Sequence, residues 1–154
     1  MAEETLVLFK NIRNPKYSKS LEGYKKAGGY QTLKKVLGMK PEEVVQTVKD
    51  SGIRGRGGAG FPTGLKWSFM SKGTGKPSYL IANADESEPG TCKDRELMLK
   101  DPHIFLEGMI IGCYAIGCHH GYIYIRGEFF PAIESLNKAV EELYSGGFLG
   151  SKLS

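Results

Sequence analysis

The sequence has 154 residues, of which 40% are hydrophobic and 25% are charged, a composition typical of one soluble globular domain. Its net charge of +4 is small and charges of both signs are interspersed, a pattern that gives little support to nucleic-acid binding. The N-terminal residues lack the basic-then-apolar pattern of a signal peptide, and the most apolar stretch, 104–117, includes a glutamate and is too short to cross a bilayer. We therefore expect a cytoplasmic chain without direct membrane insertion and with reduced cysteines.

The first fifty residues predict two helices after a lead-in without a long periodic segment. Leu6–Phe9 is apolar and predicts either a short strand or a packed arm. A short helix is expected over Tyr30–Leu37, because Gly38 can end it. A better-marked helix is expected over Pro41–Ser51, where proline suits the first position, two glutamates complement the helix dipole and Gly52 can close the last turn.

The rest of the chain alternates helices and strands. In order, the patterns predict a short helix over 65–70, a turn over 72–77, a strand over Tyr79–Asn83, a long apolar helix over Pro102–Ile116, a second strand over Gly121–Arg126 and a last helix over Pro131–Tyr144. Strand, helix, strand, helix is the order of an α/β domain with parallel strands and right-handed crossovers. Because two strands make a poor sheet by themselves, we expect the front part of a larger domain.

A glycine-rich stretch, SGIRGRGGAGFPTGLKWSF at 51–69, separates the helical first part from the strands. Five of its first ten residues are glycines, namely Gly52, Gly55, Gly57, Gly58 and Gly60. Glycine backbones allow the amide groups of a loop to turn toward an anion. Arg54, Arg56 and Lys66 add positive charge, and a helix can begin at Thr63 or Gly64. The stretch is therefore predicted to bind a phosphate group.

The glycine spacing also limits which phosphate motif this is. Gly55, Gly57 and Gly60 fit G-x-G-x-x-G, but the usual dinucleotide fingerprint needs a strand before the glycines, and here a helix is predicted. A Walker loop is excluded, because Gly75-Lys76 is followed by Pro77. A flexible linker remains an alternative, which the flanking basic and aromatic residues disfavour.

An acidic stretch follows the first predicted strand. Within 83–90, Asp85, Glu86 and Glu88 place three carboxylates in four residues. They would repel a phosphate, but they could accept hydrogen bonds from ribityl hydroxyls or a carboxamide, or hold a cation. A solvated acidic turn is the alternative.

Three aromatic residues and a Cys/His cluster complete the candidates. The aromatic residues near the glycines could stack on a planar ring or pack in the core, and they are Phe61, Trp67 and Phe69. A flavin or a nucleotide fits this combination of loops. Cys113 and Cys118 precede two histidines, but their spacing matches no zinc or iron–sulfur pattern, so no metal site is predicted.

Three motifs together resemble the family of FMN-carrying, NADH-oxidising subunits of respiratory complex I. They are the glycine-rich stretch, IANADESEPGTCKDRE and GYIYIRGEF, within a similarity that runs from about Leu21 to Gly150. The same module occurs in NAD-linked hydrogenases and formate dehydrogenases. The resemblance implies a Rossmann-like FMN-binding domain with parallel strands and crossover helices. It also implies hydride transfer from NADH to FMN, followed by electron transfer toward iron–sulfur clusters and quinone.

The resemblance also implies roles for individual residues. The FMN phosphate is expected on Gly55, Arg56, Gly57, Gly58, Ala59 and Gly60. Lys66 is expected to contact the flavin, and the ribityl chain and ring region are expected on Asn83, Asp85, Glu86 and Ser87. For NADH, Glu88 is expected near the nicotinamide, and Phe61 and Phe69 near the adenine.

The family continues beyond these motifs with a Gly-Glu-Glu motif and cluster-binding cysteines that are absent from the 154 residues. We therefore expect an N-terminal arm and short helix over 1–40 and a partial FMN/NADH-binding domain over 41–154, truncated before its sheet is complete. We expect the ubiquitin-like and iron–sulfur domains of the family to be absent here, and Cys92, Cys113 and Cys118 are not expected to bind a cluster. The isolated chain is expected to be inactive and to depend on partner subunits at the inner face of the membrane. The alternatives are a non-catalytic nucleotide-binding or assembly module, or the equivalent diaphorase module of an NAD-linked hydrogenase or formate dehydrogenase.

Overall fold

A computed structural model describes residues 5–70 and 75–150 of the chain. These residues form two compact units. The glycine-loop unit contains 31–70, 75–82 and 108–122, and the acidic-loop unit contains 5–30, 83–107 and 123–150.

Within the described residues, seven helices and two strands follow one another along the chain. They are α1 (Leu21–Lys26), α2 (Gln31–Leu37), α3 (Pro41–Asp50), α4 (Thr63–Ser68), β1 (Tyr79–Ala84), α5 (Lys93–Lys100), α6 (Pro102–Ile116), β2 (His120–Ile125) and α7 (Phe130–Ser145). The two strands form a parallel two-stranded sheet. The predicted α/β class is confirmed, and so are the five predicted helices and both strands, with small differences at their ends.

The glycine-loop unit is built around α3 and α4, which pack against each other. Pro41 occupies the first turn of α3 and two glutamates follow it, as the sequence predicts. The apolar face of α3 buries Val44 in a core cluster with Val36 and Ala115, and Trp67 of α4 packs against this cluster. The core therefore fixes α4, which directly follows the glycines.

The acidic-loop unit is built around α7, which packs against α5 and α1. Helical spacing on α7 buries one continuous face, made of Ala132, Ser135, Leu136, Ala139 and Leu143. Part of this face joins Met98 of α5 and Ala84 at the end of β1 in a second core cluster. The end of β1, from which the acidic loop leaves, is thereby anchored.

Polar groups in the acidic-loop unit are buried in pairs. Glu107 of α6 accepts hydrogen bonds from the Tyr24 hydroxyl at 2.6 Å and from the Tyr30 amide at 3.0 Å. His103 Nδ1 lies 2.8 Å from the Tyr30 hydroxyl, and His103 Nε2 lies 3.1 Å from Glu142 Oε2. These bonds offset the desolvation of groups that would otherwise be costly to bury.

Two helices and one lead-in segment differ from the predictions. Helix α1 and helix α5 were not predicted, because α1 has only six residues and α5 buries only Met98. The prediction of a strand over Leu6–Phe9 is wrong, since turns occupy this region and Val7 is 71% exposed. The predicted turn over 72–77 lies partly outside the described residues.

Helix α6 is less buried than its apolar sequence suggests. Ala115 and Leu106 are buried, but most of its remaining apolar residues are only half-buried. Among residues 5–70 and 75–150, no helix has both the length and the apolar character needed to span a bilayer.

Candidate functional site

The glycine loop, residues 55–60, is closed by pairing of the segments that flank it. The Gly55 amide donates to the Phe61 carbonyl at 2.9 Å, and the Thr63 amide donates to the Ile53 carbonyl at 2.9 Å. These two bonds hold the ends of the loop together, so the residues between them project as a short tip.

The tip of the loop presents bare backbone. Gly58 and Gly60 adopt positive φ angles of 112° and 61°, which glycine alone adopts without strain. A Cβ built on Gly57, Gly58 or Gly60 would meet nothing within 4 Å. Within the described part of the chain, the amides of residues 57–60 have no hydrogen-bond partner. The open surface and free N–H groups fit an anion held by the backbone.

The basic residues around the loop have different positions. Arg54 pairs with Pro62 in an antiparallel bridge, and its Nη1 donates to the Gly60 carbonyl at 3.1 Å. Its guanidinium therefore braces the loop. Lys66, on the helix that follows the loop, lines the neighbouring cavity, whereas Arg56 does not. The sequence predicted the positive charge but could not separate these roles.

A cavity of about 440 Å³ lies beside the glycine loop, entirely within the glycine-loop unit. Its walls come from the loop, α4, β1 and the end of α6, and its lining residues are Gly55, Gly57, Ala59, Gly60, Phe61, Thr63, Lys66, Trp67, Met70, Tyr79, Leu80, Ile81 and Ile116. Four of the six predicted loop residues, together with Lys66 and Phe61, are therefore brought to one cavity. The size is in the range of pockets that hold cofactors.

The three candidate aromatic residues separate into a surface pair and a core residue. Phe61 and Phe69 are exposed, with ring centroids 6.2 Å apart and planes tilted by 58°. Trp67 packs against the core cluster instead. Of the three candidates, Phe61 and Phe69 are therefore the exposed ones, whereas Trp67 is half-buried and lines the cavity as well as packing on the core.

The acidic loop, residues 83–90, is ordered by its own short-range hydrogen bonds. The Asp85 amide donates to Asn83 Oδ1 at 3.0 Å, and the Ser87 hydroxyl donates to Asp85 Oδ1 at 2.7 Å. Glu88 is exposed and uses its backbone carbonyl to end the loop in a turn. Asn83, Asp85 and Ser87 thus form one polar group at the carboxyl end of β1, where open α/β sheets bind ligands.

Glu86 has a structural role that the sequence did not reveal. Its carboxylate is buried and accepts hydrogen bonds from the amides of Asp94 at 3.0 Å and Arg95 at 3.1 Å, in the first turn of α5. Burial opposes ionisation, but these two bonds and the nearby Lys93 ammonium outweigh it and hold the pKa of Glu86 below its usual range. Glu86 is the N-terminal cap of α5.

Arg126 is a residue of this region that sequence reasoning missed. It follows the carboxyl end of β2, and its Nη1 donates to the Glu86 carbonyl at 3.1 Å. Its Nε lies 3.9 Å from Asp85 Oδ1 and 3.3 Å from Glu128 Oε2. The position at the end of a strand parallel to β1 was the available signal, because such ends meet at one sheet edge.

The Cys/His cluster forms no metal centre in the described residues. Across 5–70 and 75–150, no group of three or more His, Cys, Asp or Glu side chains is arranged to hold an ion. The three cysteines are free thiols.

Comparison with known proteins places the chain in a family. Residues 48–151 match the family model described as the Nuo51 FMN-binding domain. The chain belongs to this family. The family resemblance inferred from the three sequence motifs is therefore confirmed.

Several curated relatives are subunits of NADH-quinone oxidoreductase. The chain is 58% identical over 129 residues to one such subunit of Mycobacterium tuberculosis H37Rv, a match that covers 81% of this chain and 29% of the relative. It is 52% identical over 153 residues to the corresponding subunit of Aquifex aeolicus, covering 99% of this chain and 35% of the relative. The chain therefore spans about a third of the length of these relatives.

A similar solved structure supports the fold. The crystal structure of an NAD+-reducing NiFe hydrogenase in the H2-reduced state matches 90% of this chain and 24% of its own chain, with a TM-score of 0.72 and 33% identity. The same hydrogenase type in the air-oxidised state matches 71% of this chain at 42% identity, with a TM-score of 0.65.

Proposed function

We propose that this chain is the N-terminal part of a flavoprotein that takes hydride from NADH onto FMN and passes electrons toward iron–sulfur clusters and quinone. The observation that carries the proposal is the glycine loop, whose open backbone and free amides suit a phosphate monoester, in a member of an FMN-binding domain family. FMN, when bound, would accept the hydride and release electrons one at a time. The chain's own residues would bind and orient it.

The phosphate of FMN is assigned to the glycine loop. The amides of Gly57 to Gly60 would donate to the phosphate oxygens, and Arg54 would keep the loop in shape through Gly60. Arg56 supplies positive charge from the loop itself, and Lys66 supplies it from the cavity wall. Lys66 would contact the flavin, as the family resemblance implies.

The ribityl chain and the edge of the ring are assigned to the acidic loop. Asn83, Asp85 and Ser87 offer amide, carboxylate and hydroxyl groups that can hydrogen-bond to sugar-type hydroxyls. Glu86 keeps acceptor capacity beyond its bonds to α5, and its buried carboxylate would also hold the loop in place.

NADH is assigned to three residues. The exposed ring faces of Phe61 and Phe69 suit the adenine, and Glu88 is assigned to the nicotinamide end. The iron–sulfur cluster that the resemblance implies for the full-length family is not assigned to any cysteine of this chain.

The partner subunits would be those of a complex I-like assembly, which would hold the chain at the cytoplasmic face of the membrane. The diaphorase module of an NAD-linked hydrogenase is the second candidate, favoured by the similarity to the hydrogenase structures. The higher identity to the NADH-quinone oxidoreductase relatives, 58% against 42%, favours the first candidate.

A flavin-fluorescence titration of the purified 154-residue chain with FMN tests the proposal. We expect saturable quenching of FMN. A chain that is folded by circular dichroism and does not quench FMN would contradict the assignment of the phosphate site to this loop. An NADH:ferricyanide assay tests the expected inactivity, which robust turnover by the isolated chain would refute.

A further inference from the structure

The C-terminal end of α6 brings two cysteines together. Gly117 has a positive φ of 70°, and its amide donates to the Tyr114 carbonyl at 3.3 Å. The Cys118 amide donates to the Cys113 carbonyl at 2.9 Å. This pair of bonds is the Schellman ending of a helix, in which the side chain just beyond the turn contacts the one five residues before it. Here both side chains are thiols.

The two thiols are sheltered and interact with each other. Cys118 is 5% exposed, and Cys113 is half-buried. A Cβ built on Gly121 of β2 would lie 3.6 Å from Cys113 Sγ, an ordinary contact distance, so this sulfur lies against β2. Burial and the hydrogen bond with Cys118 raise the pKa of Cys113 to about 12. Cys113 therefore keeps its proton at neutral pH, which lowers its reactivity as an attacking thiolate.

We propose that Cys113 and Cys118 form a redox modification site, which closes to an intramolecular disulfide by exchange with a small disulfide such as oxidised glutathione. One cysteine sulfur attacks the glutathione disulfide, releases one glutathione thiol and forms a mixed disulfide. The second cysteine sulfur then displaces the other glutathione thiol. Both protons leave with the glutathione thiols, so two cysteine thiols are oxidised and one disulfide is reduced.

The folded backbone should favour the closed form. Because the Schellman hydrogen bonds already hold the two cysteines in contact, the second step is intramolecular and loses little chain entropy. In an unfolded chain the same step requires the six-residue segment from Cys113 to Cys118 to find that geometry. The native chain should therefore form the disulfide more readily at equilibrium than the unfolded chain.

Trypsin makes the modification easy to measure. The tryptic peptide 101–126 contains both cysteines, whereas the exposed Cys92 lies in a different peptide. A Cys92→Ser variant removes the competing thiol. It is equilibrated in glutathione redox buffers, folded in water or unfolded in concentrated urea, then quenched in acid, alkylated and digested.

We expect the folded chain to yield peptide 101–126 lighter by two hydrogens than its reduced form. The equilibrium constant for forming this disulfide should be about tenfold or more above that of the chain in urea. An added Cys118→Ser change should abolish this species. An equal or smaller constant in the folded chain would overturn the proposal, as would separate glutathione adducts on the two cysteines.

Discussion

Replacing Gly64 with alanine tests the packing that positions the cavity wall. Gly64 lies in α4 where this helix crosses α3. A Cβ built on Gly64 would lie 2.3 Å from the Lys49 amide nitrogen, 2.6 Å from its Cα and 2.7 Å from its Cγ. The first two atoms belong to the α3 backbone, so they cannot rotate away. The two helices would have to separate.

The size of the effect follows from these distances. Non-bonded heavy atoms are comfortable at about 3.5–4.0 Å, so the helices would have to move apart by about 1 Å. Overpacking of this kind costs typically about 1–3 kcal/mol, and backbone contact favours the upper half of that range. We therefore expect Gly64→Ala to lower the free energy of unfolding by about 2–3 kcal/mol and the Tm by about 4–12 °C.

Urea and thermal unfolding followed by circular dichroism measure both quantities. Gly108→Ala is the matched control, because Gly108 lies within α6 and a Cβ there meets nothing within 4 Å. The control should be neutral or stabilising by up to about 1 kcal/mol, since alanine is the better helix former. A Gly64→Ala chain as stable as the wild type would refute the close crossing of α3 and α4.

Three further variants test the sites directly. Gly57→Ala should leave the Tm unchanged, because the added Cβ has open space. It should weaken FMN binding about tenfold or more in a fluorescence titration, and unchanged affinity would show that the ligand does not approach the loop at Gly57. Glu86→Gln should lower stability at neutral pH by about 1–2 kcal/mol by urea denaturation. Folding lowers the pKa of Glu86, so the carboxylate's contribution to the free energy of unfolding is present above its unfolded pKa and is lost as the pH falls through the lower folded pKa. The stabilities of the wild type and Glu86→Gln should therefore converge in acid. A difference that stays constant with pH would argue against a charged cap. Tyr24→Phe should cost about 1–3 kcal/mol in the same assay, because it removes a donor from the buried Glu107, and equal stability would mean that this bond contributes nothing.

Gly57 is a better probe of the phosphate site than Gly58. Gly58 has a φ of 112°, a conformation that a valine cannot adopt without strain. A Gly58→Val chain would therefore lose loop geometry as well as space for the ligand. No positive φ is found at Gly57, so its added methyl group acts mainly on the ligand.

The sequence predicted those elements whose signals are local. Helix α3 carries its own proline and glutamates at one end, and α7 carries a periodic apolar face, so both were found within one or two residues of their ends. Helix α5 was missed because its cap is Glu86, six residues before its N-cap Cys92. A cap that reaches across a loop leaves no pattern at the helix itself.

The candidate sites follow the same rule. The glycine loop was located from composition, since open backbone requires glycine whatever the surrounding fold. Arg54 and Lys66 have different roles, and so do Trp67 and the exposed phenylalanines. These differences depend on tertiary contacts of the loop and of α4 with the core. Those roles are set by tertiary contacts that residue spacing does not encode.

The glycine loop is proposed to recognise the phosphate of FMN. The most direct test compares the affinities of the folded 154-residue chain for FMN and for riboflavin, which lacks only the phosphate. We expect FMN to bind at least about tenfold more tightly, a difference of about 1.4 kcal/mol, and Gly57→Ala to remove most of this advantage. Equal affinity for the two flavins would mean that the loop does not recognise the phosphate.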